Sequence, residues 1–384
     1  MKTENLDRYF ASQFDKGIAG CSFAMMLHGK LVYENYSGYA DIEAKKPITP
    51  DTMFRMYSMT KLFTCTALLQ LYEKGLFNLA DPLYKYLPEF RSMQVAVHRP
   101  NGIVELEEAR NPILVENIMS MTSGLTYDNA PDYASREFHR ILGELTAQSL
   151  NYTTEQYVKA AAKAPLAFEP GTHWRYGTSH EVVGRLVEVL SGERFSDYVD
   201  RHIFKPLGMN DTAFRFPKEV RDERLAKFYD YKNGVFTVND REDRLYEPDA
   251  LMDRGGAGAI STLGDYLKFA EALRRGGTSA EGVRILAPET VRLYASDRLT
   301  PAQRKDFDWL HMRCYGYGLG VRVMTDPWMD GGVMGEFGWT GKAGTMVYID
   351  PATGLSAVYM EQAAPSLEPD HLPQVRNLIY TAIS

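Results

Sequence analysis

From Met59 to Gly75 the apolar side chains Leu62, Phe63, Leu69 and Tyr72, with Thr66 among them, recur at helical spacing. Such a helix is apolar nearly all round and leaves no face for water, so it belongs at the centre of a fold. Gly75 ends it. The chain of 384 residues can enclose it, as one large domain or two. Directly before the apolar run stands Tyr57-Ser58-Met59-Thr60-Lys61. On a helix Ser58 and Lys61 lie one turn apart on one face. A lysine amine there can take the proton of a serine hydroxyl, the activation a weak nucleophile needs. A chain of this length holds about one S-x-x-K by chance, so the alternative is a capping serine followed by a solvated lysine. The apolar surroundings favour chemistry: burial would lower the lysine pKa and supply the neutral amine of a general base.

Around this stretch the pattern alternates between strand and helix. Residues 5 to 17 read as a first helix. Strands 23–27 and 31–36 flank a hairpin signal at His28-Gly29-Lys30. Pro47 to Asp51 reads as a turn. Residues 89–245 are helix-rich, with helices expected at 113–121, 154–162, 181–190 and 195–203. Residues 218–247 are charge-dense and read as a surface excursion. A further helix is expected at 263–273 behind Gly255-Gly256-Ala257-Gly258. Strands then return at 317–324, 335–339, 346–349 and 356–361, and a helix at 373–383 closes the chain. Strands at both ends with helices between imply an α/β (α+β) fold, one antiparallel sheet built from both termini with an inserted helical region. The expected division is 1–88, 89–245 and 246–384.

A lysine alone seldom serves both acylation and deacylation, and a nearby phenol can share the proton transfers. Tyr176 lies in Glu169 to Thr178, a loop that opens a helix, where a side chain can point into a cleft; packing beneath the loop is the alternative. Three Tyr-x-Asn triplets, at Tyr33, Tyr127 and Tyr231, read mostly as turns. Glycines crowd Gly335 to Thr345, which suggests that something approaches that backbone closely, a substrate or an oxyanion whose N–H donors lie there; a bulged edge strand is the alternative. Gly341-Lys342 lacks the Ser or Thr and the spacing of a phosphate loop, which excludes ATP. Gly177-Thr178-Ser179-His180-Glu181 approaches a nucleophile elbow, but no strand clearly precedes it and Ser179 reads as a helix cap.

A net charge of -7 gives no footprint for nucleic acid or anionic membrane. No apolar run reaches spanning length, and the polar N-terminus lacks the core of a signal peptide, so the expected location is cytoplasmic. Cys21, Cys65 and Cys314 are odd in number and widely spaced, which argues against a disulfide framework or zinc ribbon; Cys65 reads as a small buried hydrophobe. The scattered histidines give no metal site, and no cofactor is expected.

In this order the motifs resemble the serine β-lactamase and penicillin-binding superfamily, closest to class C β-lactamases and family VIII carboxylesterases. The resemblance covers nearly the whole chain: Tyr57 to Lys61 with Leu79 to Pro82 and Tyr86 to Pro88, Met121 to Leu125, Phe168 to Tyr176, Lys205 to Met209, and Gly255 to Ser261 with Asp265-Tyr266. It implies a β-lactamase/transpeptidase-like fold. It implies Ser58 as acylated nucleophile, Lys61 as base and Tyr176 as partner in proton transfer and activator of water. The backbone N–H groups of Ser58 and Lys342 would form the oxyanion hole. Two departures matter. The family's Tyr-x-Asn is Tyr176-Gly177-Thr178, a hydroxyl for an amide, and its Lys-Thr-Gly is Trp339-Thr340-Gly341. An indole cannot pair with the carboxylate of a β-lactam and instead gives a flat apolar wall; the alternative is that Lys342 reaches back to restore the cation. The expectation is a carboxylesterase acting on small or medium esters, with Trp339, Thr340, Gly341, Tyr127 and Thr178 contacting substrate. A β-lactamase, D-amino-acid peptidase or acyltransferase on the same site, and a non-catalytic sensor module, are the alternatives.

Overall fold

The structure is a computed structural model that describes residues 2–100, 102–240 and 243–384. Its main sheet has eight strands: β1 (Gly20–Leu27), β2 (Lys30–Asp41), β3 (Lys46–Pro47), β4 (Tyr315–Tyr317), β5 (Arg322–Met324), β6 (Phe337–Gly338), β7 (Met346–Asp350) and β8 (Leu355–Glu361). They are ordered β4-β5-β6-β7-β8-β1-β2-β3 and every pair is antiparallel. The join between the two chain ends is the β1–β8 ladder, with Phe23 opposite Tyr359 and Leu27 opposite Leu355. Both strands bury side chains on both faces, because helices cover the sheet on either side. The β1–β2 turn is His28-Gly29, both with positive φ. This is the conformation a two-residue hairpin needs to match the strand twist.

Helix α1 (Glu4–Ala11) and the closing helix α5 (Glu368–Ile383) contact each other across the outer side. Helix α2 (Thr60–Glu73) is the enclosed one: Leu62, Phe63, Cys65, Leu68 and Leu69 are all fully buried. Each large side chain among them contributes about 1.5–3 kcal/mol of burial. Helix α3 (Ser179–Ser191) packs along α2, and α4 (Leu263–Arg274) packs on β8. No helix among the described residues is long and apolar enough to cross a membrane.

Several elements differ from the sequence expectation. The strand expected at 317–324 is the β4–β5 hairpin, because Gly318 and Gly320 turn the chain there and Gly318 N–H donates back to the Val321 carbonyl. The helix Tyr133–Gln148 and the hairpin Gln94–His98/Val104–Glu108 were not anticipated. The charge-dense stretch 218–247 holds the helix Lys218–Arg224 and a hairpin Tyr229–Lys232/Val235–Val238 that turns at Asn233-Gly234; its residues 241 and 242 lie outside the described residues. Of the Tyr-x-Asn triplets, Tyr33 to Asn35 lies within β2 and is not a turn. Ser179 does not cap α3: it is the first helical residue, and its hydroxyl pairs with that of Ser123 at 2.9 Å.

Candidate active site

Ser58 sits in a single 3₁₀ turn, Tyr57–Met59, that feeds α2. Tyr57 has φ +44°, the left-handed region. That conformation costs a non-glycine residue about 1–3 kcal/mol, and here it turns the chain sharply just before Ser58. The approach is fixed by a short ladder in which Met53–Arg55 pairs with Ile260–Thr262, and Met56 N–H donates to the Ala259 carbonyl. The same ladder carries Gly255-Gly256 to the start of α2.

Lys61 is the centre of the site. Its side chain is 0% exposed, and its amine donates to Ser58 Oγ at 3.0 Å, Tyr127 OH at 3.3 Å and the Gly256 carbonyl at 2.7 Å. The Tyr176 ring lies under it, 4.8 Å from Nζ to the centroid. An ammonium has three donors and all three are met; a neutral amine keeps one lone pair that can accept the Ser58 proton. The capping alternative fails, since Ser58 makes no cap and Lys61 is not solvated.

Tyr176 precedes α3 and accepts a hydrogen bond from Trp339 Nε1 at 3.1 Å. Its ring is held edge-on by Tyr127 and Trp309 and tilted against Trp339, each centroid 5.5–5.6 Å away. Trp339 is 1% exposed, so it both walls the cavity and fixes the Tyr176 hydroxyl. The cavity, about 190 Å³, is lined by Ser58, Tyr176, Trp309, Trp339, Thr340, Gly341, Lys342, Ser366 and Glu368. The Lys342 amine rests over the Tyr57 ring, 5.8 Å from its centroid. Tyr127 reaches Lys61 from behind and is not in the lining. Thr178 is also away from the lining: it is buried and its hydroxyl pairs with that of Tyr157 at 2.8 Å.

The crowded glycines also answer to the protein's own packing. A Cβ on Gly341 would stand 2.5 Å from the Met56 carbonyl oxygen, beside the Ser58 turn. At Gly344, with φ +99°, it would collide with the Glu361 carboxylate.

Two buried titratable groups support the site from below. Glu181 on α3 is 3% exposed. Burial pushes its carboxyl above the usual range, against the opposing pull of Arg254 and Lys61, and the N–H groups of Gly256 and Gly255 donate toward it. Lys61 and Glu181 thus grip the same dipeptide from its carbonyl and amide sides. A Cβ on Gly256 would lie 2.7 Å from Glu181 Oε1. His180 Nε2 bonds the Met119 carbonyl at 3.0 Å. Burial, and then the Lys61 charge, lower its pKa from 6.5 to about 3. A depressed folded pKa gives stability that is whole above about 6.5 and is lost as pH falls toward 3, at up to about 1.4 kcal/mol per pH unit. The stability difference between the native chain and His180→Gln, from urea unfolding, should therefore shrink as pH drops from 7 to 4.5. A constant difference would refute it.

A serine–lysine pair at the head of a buried helix, beside an antiparallel sheet, defines a serine hydrolase-type enzyme of the β-lactamase/transpeptidase-like fold. The family profile described as Beta-lactamase matches residues 6–379, and the chain belongs to that family. Protein Rv1367c of Mycobacterium tuberculosis (strain H37Rv) is 32% identical over 361 residues, covering 89% of this chain and 85% of that one. Esterase EstB of Burkholderia gladioli is 28% identical, covering 91% and 87%. Among solved structures, EstCE1, described as a hydrolase with promiscuous acyltransferase activity, superposes with a TM-score of 0.80 at 25% identity over 97% of each chain.

Proposed function

We propose that this protein is a carboxylesterase that works through an acyl-enzyme on Ser58. The observation that carries the reading is the Lys61 amine, enclosed and held 3.0 Å from Ser58 Oγ by two further fixed partners. Neutral Lys61 takes the Ser58 proton as Oγ bonds to the ester carbonyl carbon. The oxyanion meets the backbone N–H groups of Ser58 and Lys342. The tetrahedral adduct collapses, the alkoxide leaves, and the proton reaches it from Lys61 through the Tyr176 hydroxyl. A water then attacks the acyl carbon and gives one proton to the Tyr176–Lys61 pair; the acyl–Oγ bond breaks, the carboxylic acid leaves, and the pair passes that proton to Ser58 Oγ.

Trp339 supports an ester over a β-lactam. The indole offers no charge to a substrate carboxylate, and its single N–H donor is engaged by Tyr176. The esterase name of one relative and the hydrolase title of a structural neighbour agree with this reading. A fluorophosphonate should add to the Ser58 peptide, read by mass spectrometry. Esters such as p-nitrophenyl butyrate should outrun nitrocefin in kcat/KM by roughly ten- to a hundredfold, the worth of one missing charge-assisted hydrogen bond. Label on another residue, or nitrocefin turnover equal to that of the esters, would overturn the reading.

A further inference from the structure

The reaction cavity is small. At about 190 Å³ it falls below the roughly 300–1,000 Å³ of ordinary ligand sites. A second cavity of about 570 Å³ lies next to it; Leu310, Cys314, Met329, Pro369 and Pro373 give it apolar wall, and Arg313, Asp330 and Asp370 give it a charged part. The two share their walls along two stretches of chain. Trp309 lines the first and Leu310-His311 the second; Ser366 and Glu368 line the first and Pro369-Asp370 the second. Where these two stretches meet, His311 Nε2 lies 3.1 Å from Glu368 Oε1, with the Trp309 ring stacked parallel to the imidazole 6.2 Å away. The contact is not aligned as a hydrogen bond, and both atoms are buried without any other hydrogen-bond partner. Unaligned buried polar atoms are costly where they stand and are ready to bond a group passing between them. On the far side, Leu310 is 74% exposed and Met329 56% exposed, both apolar and both at the mouth.

We propose that the second cavity is a substrate subsite for an apolar arm of the ester, reached across the His311–Glu368 contact. The inference rests on the esterase reading of Ser58. Substrates are then esters whose reacting carbonyl sits at Ser58 and whose acyl or alcohol half extends well beyond what the first cavity holds. A polar group along that arm would take up the loose ends of His311 and Glu368.

The test uses two ester series, p-nitrophenyl acetate to dodecanoate and ethyl to dodecyl acetate, and the double variant Leu310→Arg/Met329→Arg. Both positions are exposed and outside the reaction cavity, so the variant should fold and turn over the acetates at the native rate. In one of the two series kcat/KM should climb by up to about fourfold for each methylene that enters the second cavity, and the climb should vanish in the double variant. A binding measurement separates this from the esterase reading: 1-octanol, which cannot be hydrolysed, should perturb tryptophan fluorescence saturably through Trp309, and not in the variant. Short esters turned over with no chain-length gain in either series, or a gain untouched by the arginines, would overturn the subsite alone. Absence of all ester turnover would overturn the esterase reading; saturable octanol binding lost in the variant would still stand for the cavity, and its absence would remove that as well.

Discussion

Ser58→Ala is expected to lower kcat/KM for p-nitrophenyl butyrate by about 10⁴-fold or more, the scale on which a lost nucleophile acts. Folding should be little changed. The substitution removes one of three partners of the Lys61 amine and leaves Tyr127 and the Gly256 carbonyl in place, a loss of about 0.5–1.5 kcal/mol. No apolar volume disappears from the core, since Ser58 is only half-buried and lines the cavity. The measurement is paired: initial rates over the ester panel, and thermal melting of the same preparations. Residual turnover within tenfold of native would place the nucleophile elsewhere. The buried hydroxyl of Ser179 is then no substitute, because it is paired with Ser123 behind the site.

The Ser58–Lys61 stretch and the helix after it were legible because their signal is local. Three-residue spacing sets Ser58 against Lys61, and apolar side chains on nearly every side of a helix call for an enclosed one. The sheet assembled from both ends was legible for the same reason in its central strands, but not at its edges, where 317–324 is a hairpin and Lys46–Pro47 is a strand. Where the pattern misled, a long-range contact had decided the matter. The glycines at 341 and 344 also make room for the Met56 carbonyl and the Glu361 side chain, a need the local pattern does not show, while Gly341 lines the cavity as well. Glu181 reads in sequence as the residue that spoils a nucleophile elbow. Its place under Lys61 depends on Gly255-Gly256, which no local pattern joins to it. Trp309 enters the cavity from a loop and Glu368 from the first residue of α5, and no local pattern joins either to Ser58. Thr178 shows the opposite error: it falls where the family motif has an amide, but its hydroxyl turns inward to Tyr157.

The two tyrosines around Lys61 are expected to differ sharply. Tyr127 makes the hydrogen bond to the amine, at 3.3 Å, and from distance alone would be the proton carrier. Burial raises its pKa well above the ordinary phenol value, and the neighbouring Tyr176 and Glu181 raise it further. A phenolate at Tyr127 is therefore harder to form than at an ordinary tyrosine. Tyr127 is also absent from the cavity lining, whereas Tyr176 lines it, with its hydroxyl fixed by Trp339 and its ring against the Lys61 amine. Tyr176→Phe keeps the ring and its aromatic neighbours and removes only the hydroxyl. It should cut kcat by about 10²–10⁴-fold, the worth of a positioned acid–base group, with KM for short esters nearly unchanged. Tyr127→Phe removes one Lys61 partner from behind and should cost about tenfold or less, the worth of a single hydrogen bond. Trp339→Phe, which deletes the indole N–H that fixes the Tyr176 hydroxyl, should fall between them. The opposite ranking, with Tyr176→Phe near native and Tyr127→Phe severely impaired, would transfer the proton shuttle to Tyr127 and leave Tyr176 as the aromatic floor beneath the lysine.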